Sequence, residues 1–194
     1  FTEKAFAKVN LTLEILGRRR DGFHNLASVM QTVDLFDTIE FSESEEVIVT
    51  CDDKEITPEI NLASKAASVL QQQAGIADGA TISIKKNIPV SAGLGGGSTD
   101  AAAALRGLNK LWKLGLSLDE LTEIGAEIGS DVPFIVRGGT SLVQGRGEDV
   151  TPITPAEVPK FLILTPEVDL ENPTAKTASV FSHVNESMFT RGNL

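Results

Sequence analysis

An alternating run from Thr81 to Ile88 leads into Pro89-Val90-Ser91-Ala92-Gly93-Leu94-Gly95-Gly96-Gly97-Ser98-Thr99-Asp100, and then into Ala101-Ala102-Ala103-Ala104-Leu105-Arg106. No other stretch restricts the fold so tightly. Period-two alternation predicts a half-buried strand, and a run of alanines predicts a helix. The order is therefore strand, glycine loop, helix. Four glycines within positions 93–97 leave backbone N–H groups without side-chain cover, and Ser98, Thr99 and Asp100 offer N-cap oxygens at the helix start. Bare amides at a helix N-terminus form an anion site, and the usual anion is phosphate. A simple surface turn is the alternative; the flanking strand and helix favour the phosphate loop.

Two familiar phosphate loops fit poorly. An NTPase P-loop needs a Lys that this loop lacks, and a dinucleotide fingerprint needs a third Gly where Ser98 stands. Pro-x-x-x-Gly-Leu-Gly-Gly-Gly-Ser instead resembles the second motif of the galactokinase, homoserine kinase, mevalonate kinase and phosphomevalonate kinase superfamily.

Around this loop the chain reads as a run of strands and helices. Ala5 to Ile15 alternates, with Ala7, Val9, Leu11, Leu13 and Ile15 on one face and Lys8, Asn10, Thr12 and Glu14 on the other. That predicts one strand with a buried face and, by pattern alone, a solvated Lys8. Asp21-Gly22 is a turn signal, with Phe23 and His24 directly after it. Leu26 to Phe41 reads as two strands broken near Phe36-Asp37, and Val47 to Val49 as a short one. Asn61 is a good N-cap for a helix that Gly75 stops. Ser117 and Glu120 form a capping box for the next helix. Asp131 reads as the N-cap of a short helix carrying Pro133 in its first turn. Glycines at 138–139 and at 145 and 147 punctuate a hairpin. Pro152, Pro155 and Pro159 suggest a domain junction, followed by a short buried strand at Phe161 to Leu164.

The net charge of −10 gives no basic footprint for nucleic acid. No apolar run reaches the length of a membrane span. Cys51 is the single cysteine, so no intrachain disulfide forms and a cytoplasmic, reducing location is expected. Two histidines and one cysteine make no zinc site of ordinary spacing.

Seven stretches, taken in order, carry a more specific resemblance: Ala7-Lys8-Val9-Asn10-Leu11, Asp21-Gly22-Phe23-His24, Asn61-Leu62-Ala63, Lys86-Asn87-Ile88-Pro89, the glycine loop, Gly129-Ser130-Asp131-Val132-Pro133-Phe134, and Gly145-x-Gly-Glu148. Together they resemble the 4-diphosphocytidyl-2-C-methyl-D-erythritol kinases, a branch of the same superfamily. The resemblance implies an α+β, two-domain small-molecule kinase fold with an N-terminal domain like domain 2 of ribosomal protein S5. It places that domain at residues 1–155 and the start of a second at 156–194. It implies a cytidine-linked small-molecule substrate and ATP, with Mg2+ carried by the ATP, and points to neither a nucleic acid nor a membrane partner. Lys8 and Asp131 match the catalytic pair, and Asn10 lines the same pocket. Phe23 and His24 match the cytosine-binding turn, and Thr177 and Phe181 resemble a Thr-x-x-x-aromatic pair that closes the cytidine pocket, with Thr174 as a rival register. Asn61, Lys86 and the segment Pro89, Val90, Ser91, Ala92, Gly93, Leu94, Gly95, Gly96, Gly97, Ser98 and Thr99 match the nucleotide side. Phe23 stands where many members have Tyr, which keeps the stacking face and loses the hydroxyl. The family's late glycine-rich motif has no counterpart before Leu194, so the expectation is a longer protein. Three other readings stay open: a different kinase of the superfamily, an inactive nucleotide-binding module, and a dinucleotide-dependent dehydrogenase using Asp119 or Glu120.

Overall fold

The computed structural model describes residues 1–155, 160–164 and 176–192. Its strands are β1 (Thr2–Asn10), β2 (Glu14–Arg18), β3 (His24–Ser44), β4 (Val47–Cys51), β5 (Gly79–Lys85), β6 (Thr140–Gly145) and β7 (Asp149–Pro152). They form one sheet ordered β4-β5-β3-β6-β7, with β1 and β2 also paired to β3. Every pairing is antiparallel except β4 with β5. Helices α1 (Leu62–Ala74), α2 (Gly96–Leu111), α3 (Leu118–Ile128) and α4 (Val132–Arg137) pack with the sheet around the main core. This is the expected α+β arrangement, and the mixed sheet excludes the all-parallel frame that a dinucleotide fold requires. Helix α5 (Lys176–Ser182) lies near the end of the described chain.

β3 is the spine. Two strands were expected across Leu26 to Phe41, yet one strand of 21 residues runs through Phe36 and Asp37. Asp37 keeps the parity of Val33, Ile39 and Phe41 and is as buried as they are, so the charge does not end the strand. The break falls in its partners instead. β6 pairs with Leu26 to Gln31 and β5 with Thr38 to Ser44, which leaves residues 32–37 without a strand on that edge. Asp37 sits at the end of this gap.

The first expected strand is divided. β1 stops at Asn10 and β2 starts at Glu14, while Leu11 and Leu13 are exposed. Thr12 explains the interruption: its Oγ1 accepts from Val29 N (3.0 Å) and its carbonyl from Ser28 Oγ (2.6 Å). Side-chain hydrogen bonds of this kind compete with a regular ladder.

The caps of two helices follow the sequence. Asn61 Oδ1 accepts from Ala63 N (2.9 Å), and Ser117 with Glu120 closes a full capping box on α3. The buried strand expected at Phe161 to Leu164 is absent. Phe161, Leu162 and Leu164 are exposed, and Ile163 packs against Ala7, Val33, Ile88 and Leu94. A short apolar run becomes a strand only with a pairing partner, and none accompanies it among the described residues. The junction expected at Pro159 and the rival position Thr174 lie outside the described residues, as does the side chain of Thr177. No described helix is long and apolar enough to cross a membrane.

Candidate active site

The glycine loop enters α2 earlier than expected. The helix begins at Gly96 rather than Ser98, and its N-cap is Gly95 at φ +74°, with no side chain capping it. Ser98, Thr99 and Asp100 therefore lie within the helix. Thr99 Oγ1 donates to Phe6 O (3.2 Å), and Asp100 accepts from Lys86 Nζ (2.6 Å). Glycine reaches the left-handed region at no steric cost, so the backbone turns into the helix unaided. Along the loop, Pro89, Val90, Gly93 and Gly97 are exposed, Leu94 and Thr99 are buried, and Ser91, Ala92, Gly95, Gly96 and Ser98 are half-buried.

β1 brings Lys8 onto this loop. Lys8 N donates to Leu94 O (3.1 Å), and a Cβ added at Gly95 would lie 3.1 Å from both Lys8 Cγ and Cε. The lysine stem thus crosses the loop backbone. The solvated lysine expected from alternation is not what forms, because Lys8 is only 7% exposed. A register shift between Phe6 and Lys8 breaks the alternation there, as a bulge re-aims side chains. Lys8 Nζ donates to Asn10 Oδ1 (2.9 Å) and lies 3.3 Å from Asp131 Oδ2. Asn10 is steadied by its own donation to Ser28 Oγ (2.7 Å).

Asp131 occupies the N-cap position of α4, but its carboxylate makes no capping hydrogen bond. The capping role expected from sequence is replaced by the ion pair with Lys8. The turn between β6 and β7 braces this region from behind: a Cβ on Gly147 would collide with the carbonyl of Ser130, next to Asp131. The lack of a side chain there lets the turn close against it.

Lys86 is enclosed between two carboxylates. Its ammonium lies 2.5 Å from Asp37 Oδ2 and 2.6 Å from Asp100 Oδ2, and its side chain is 8% exposed. Asp37 Oδ1 also accepts from Asn87 N (2.5 Å) and Ile88 N (2.8 Å). Burial alone would lower the Lys86 pKa, but the two carboxylates, Asp100 foremost, raise it above its ordinary value. Burial pushes the Asp100 carboxyl up to about 7, against the attraction of Lys86.

The aromatic turn divides in two. Phe23 is 48% exposed, with the Arg146 guanidinium 5.5 Å from its ring centre. His24, the first residue of β3, is buried, its ring 5.5 Å from Phe181 and 6.4 Å from Phe189. Arg146 also donates to Ala126 O (2.9 Å), and its backbone N donates to Glu148 Oε2 (2.6 Å). One turn thus touches the aromatic wall and the backbone beside Asp131.

Residues 61–139 match the family described as GHMP kinases N terminal domain. The chain is 50% identical over 186 residues to a 4-diphosphocytidyl-2-C-methyl-D-erythritol kinase of Caldicellulosiruptor saccharolyticus, covering 94% of this chain and 64% of that protein. The kinase of the same name from a Geobacillus species is 54% identical over 164 residues, covering 83% and 56%. The chain thus carries a GHMP kinase N-terminal domain over residues 61–139. It spans about two-thirds or less of the length of these relatives. A crystal structure of 4-(cytidine 5'-diphospho)-2C-methyl-D-erythritol kinase superposes with a TM-score of 0.67 at 34% identity, over 79% of this chain and 55% of that one. The Methanococcus jannaschii mevalonate kinase has the same fold, with a TM-score of 0.62 at 19% identity over 80% and 56%.

Sequence reading missed Asp37 as a member of the Lys86 charge cluster, took Asp100 for a cap, and left Arg146 without a role. Asp37 did carry a signal: a charge at the core-facing parity of an apolar strand. Asp100 precedes an alanine run whose members are all fully buried, so it shares their enclosed helix.

The raised Asp100 pKa has a measurable consequence. The folded state keeps a proton that the unfolded chain releases from the ordinary carboxyl value of 3.8 upward. Stability from this group is therefore fully present at acid pH and lost as pH rises through about 7. The thermal midpoint of the wild type should fall between mildly acid and mildly alkaline buffer, and Asp100→Asn should flatten that fall. Parallel pH profiles for the two proteins would exclude Asp100 as the titrating group.

Proposed function

We propose that the full-length protein transfers the terminal phosphoryl group of ATP to the 2-hydroxyl of 4-diphosphocytidyl-2-C-methyl-D-erythritol. This is a step of the non-mevalonate route to isoprenoid precursors. The observation that carries the reading is the Lys8–Asp131 pair, 3.3 Å apart with the lysine stem against Gly95. The names and identities of the relatives support the substrate.

Phosphoryl transfer asks a protein mainly for positioning and charge stabilisation. Asp131 accepts the hydroxyl proton as the substrate oxygen bonds to the terminal phosphorus and the bond to ADP breaks. Lys8 lies against the Asp131 carboxylate and offers its cation to the transferred group. The N-terminal amides of α2 hold the nucleotide phosphates, and the unfilled backbone surface at Gly93 suits a close approach. Among the described residues no cluster of His, Cys, Asp and Glu could hold a metal by itself. Mg2+, if it came bound to ATP, would offset the charge of the phosphates. The single cysteine supports a cytoplasmic location.

The test is ADP release by the full-length protein with ATP and the cytidine-linked acceptor. Comparable turnover of mevalonate or homoserine would assign a different GHMP kinase activity. Nucleotide binding without turnover would favour an inactive module.

Phe23 and Arg146 offer an aromatic face and a cation on the acceptor side. Stacking on a base is worth about 1–3 kcal/mol per base, so Phe23→Ala should raise the acceptor KM by roughly tenfold or more. ATP kinetics should barely move. Equal losses for both substrates would make the turn structural.

A further inference from the structure

The glycine loop joins two elements, and one buried charge cluster ties both of its ends. Lys86 directly follows β5 and Asp100 lies in α2, and their 2.6 Å contact closes the base of the loop. Asp37 enters from the unpaired edge of β3, takes the same ammonium at 2.5 Å, and holds the backbone N–H groups of Asn87 and Ile88. The first residues of the loop and the first turns of α2 are therefore referred to one point on the central strand. Asp37 and Asp100 are 0% and 3% exposed.

Stability alone accounts poorly for this cluster. Two carboxylates share one ammonium, and Asp100 Oδ1 is buried without a hydrogen-bond partner among the described residues. A buried ionic group costs desolvation that apolar packing would avoid, and fixing a geometry is one reason to keep it. The geometry fixed here is that of the loop whose amides face the nucleotide.

We propose that Asp37 and Asp100 are positioning residues that, through Lys86, set where the glycine loop presents its amides to the nucleotide phosphates. The proposal rests on the kinase reading above for the identity of that nucleotide.

Asp37→Asn and Asp100→Asn in the full-length protein test it by calorimetric titration with ATP, steady-state kinetics and thermal denaturation. Loop misplacement should raise both the Kd and the KM for ATP about tenfold or more, with kcat at saturation within about threefold and the acceptor KM unchanged. A variant that folds, melts lower and binds ATP as tightly as wild type overturns the proposal, since the cluster would then serve only the fold. If Asp37→Asn fails to fold, Asp100→Asn decides, because it leaves Lys86 and Asp37 as a balanced one-to-one pair. Weakened ATP binding in the variants of a protein without turnover would refute the kinase reading and leave the positioning role standing. A wild type that does not bind ATP would refute both.

Discussion

Asp131→Asn in the full-length enzyme is expected to lower kcat by about 10²–10⁴, the usual contribution of a general base. The amide matches the carboxylate in size but cannot take up the hydroxyl proton. ATP affinity should change little, because the nucleotide amides belong to a different helix. Stability should also change little. Replacing a working N-cap by a non-capping residue costs about 1 kcal/mol, but the Asp131 side chain makes no capping hydrogen bond, so that cost does not arise. Lys8 keeps Asn10 as an acceptor at 2.9 Å after the substitution. Thermal denaturation and steady-state kinetics on the same preparation check both halves. A folded variant with wild-type kcat would remove Asp131 from the chemistry.

Gly95→Val should be the most damaging change in the loop, for two separate reasons. The position lies at φ +74°, where a β-branched residue is a steric outlier; holding such a conformation costs on the order of 1–3 kcal/mol. The added Cβ would also lie 3.1 Å from two methylene carbons of Lys8, before its own methyl groups are counted. Relief requires moving the loop, the lysine or both. We expect the ATP KM to rise by more than about tenfold and kcat to fall with it, since displacing a positioned group by an ångström can cost about 10²-fold. Gly95→Ala carries the same backbone strain without the branch and should fall between the two. Unchanged ATP kinetics in a folded Gly95→Val protein would show that the loop does not approach the nucleotide.

Much of the frame was legible because it rests on local signals. The strand before the glycine loop, the helix after it, the Asn61 cap, the Ser117–Glu120 capping box and the hairpin near the end all depend on residues a few positions apart. The errors have a common origin. Alternation placed Lys8 in solvent, and one register shift between Phe6 and Lys8 turned it inward. A charged residue at position 37 suggested a break, and the tertiary fold instead supplied Lys86 and two backbone N–H groups to satisfy it. Asp100 and Asp131 both looked like caps, the commonest role for an aspartate at a helix start. Asp131 found Lys8 from a strand distant in sequence, and Asp100 found Lys86 at the other end of the glycine loop.

The sequence by itself determined the strand–loop–helix unit, its suitability for a phosphate and, through its ordered motifs, the resemblance that the relatives support. The tertiary structure decided which charges meet: Lys8 with Asp131 across more than half the chain, and Lys86 with both Asp37 and Asp100. Periodicity tells a side chain which face it occupies. A buried charge is settled by the partner that arrives opposite, and that partner is known only when the sheet register and the helix packing have brought distant segments together.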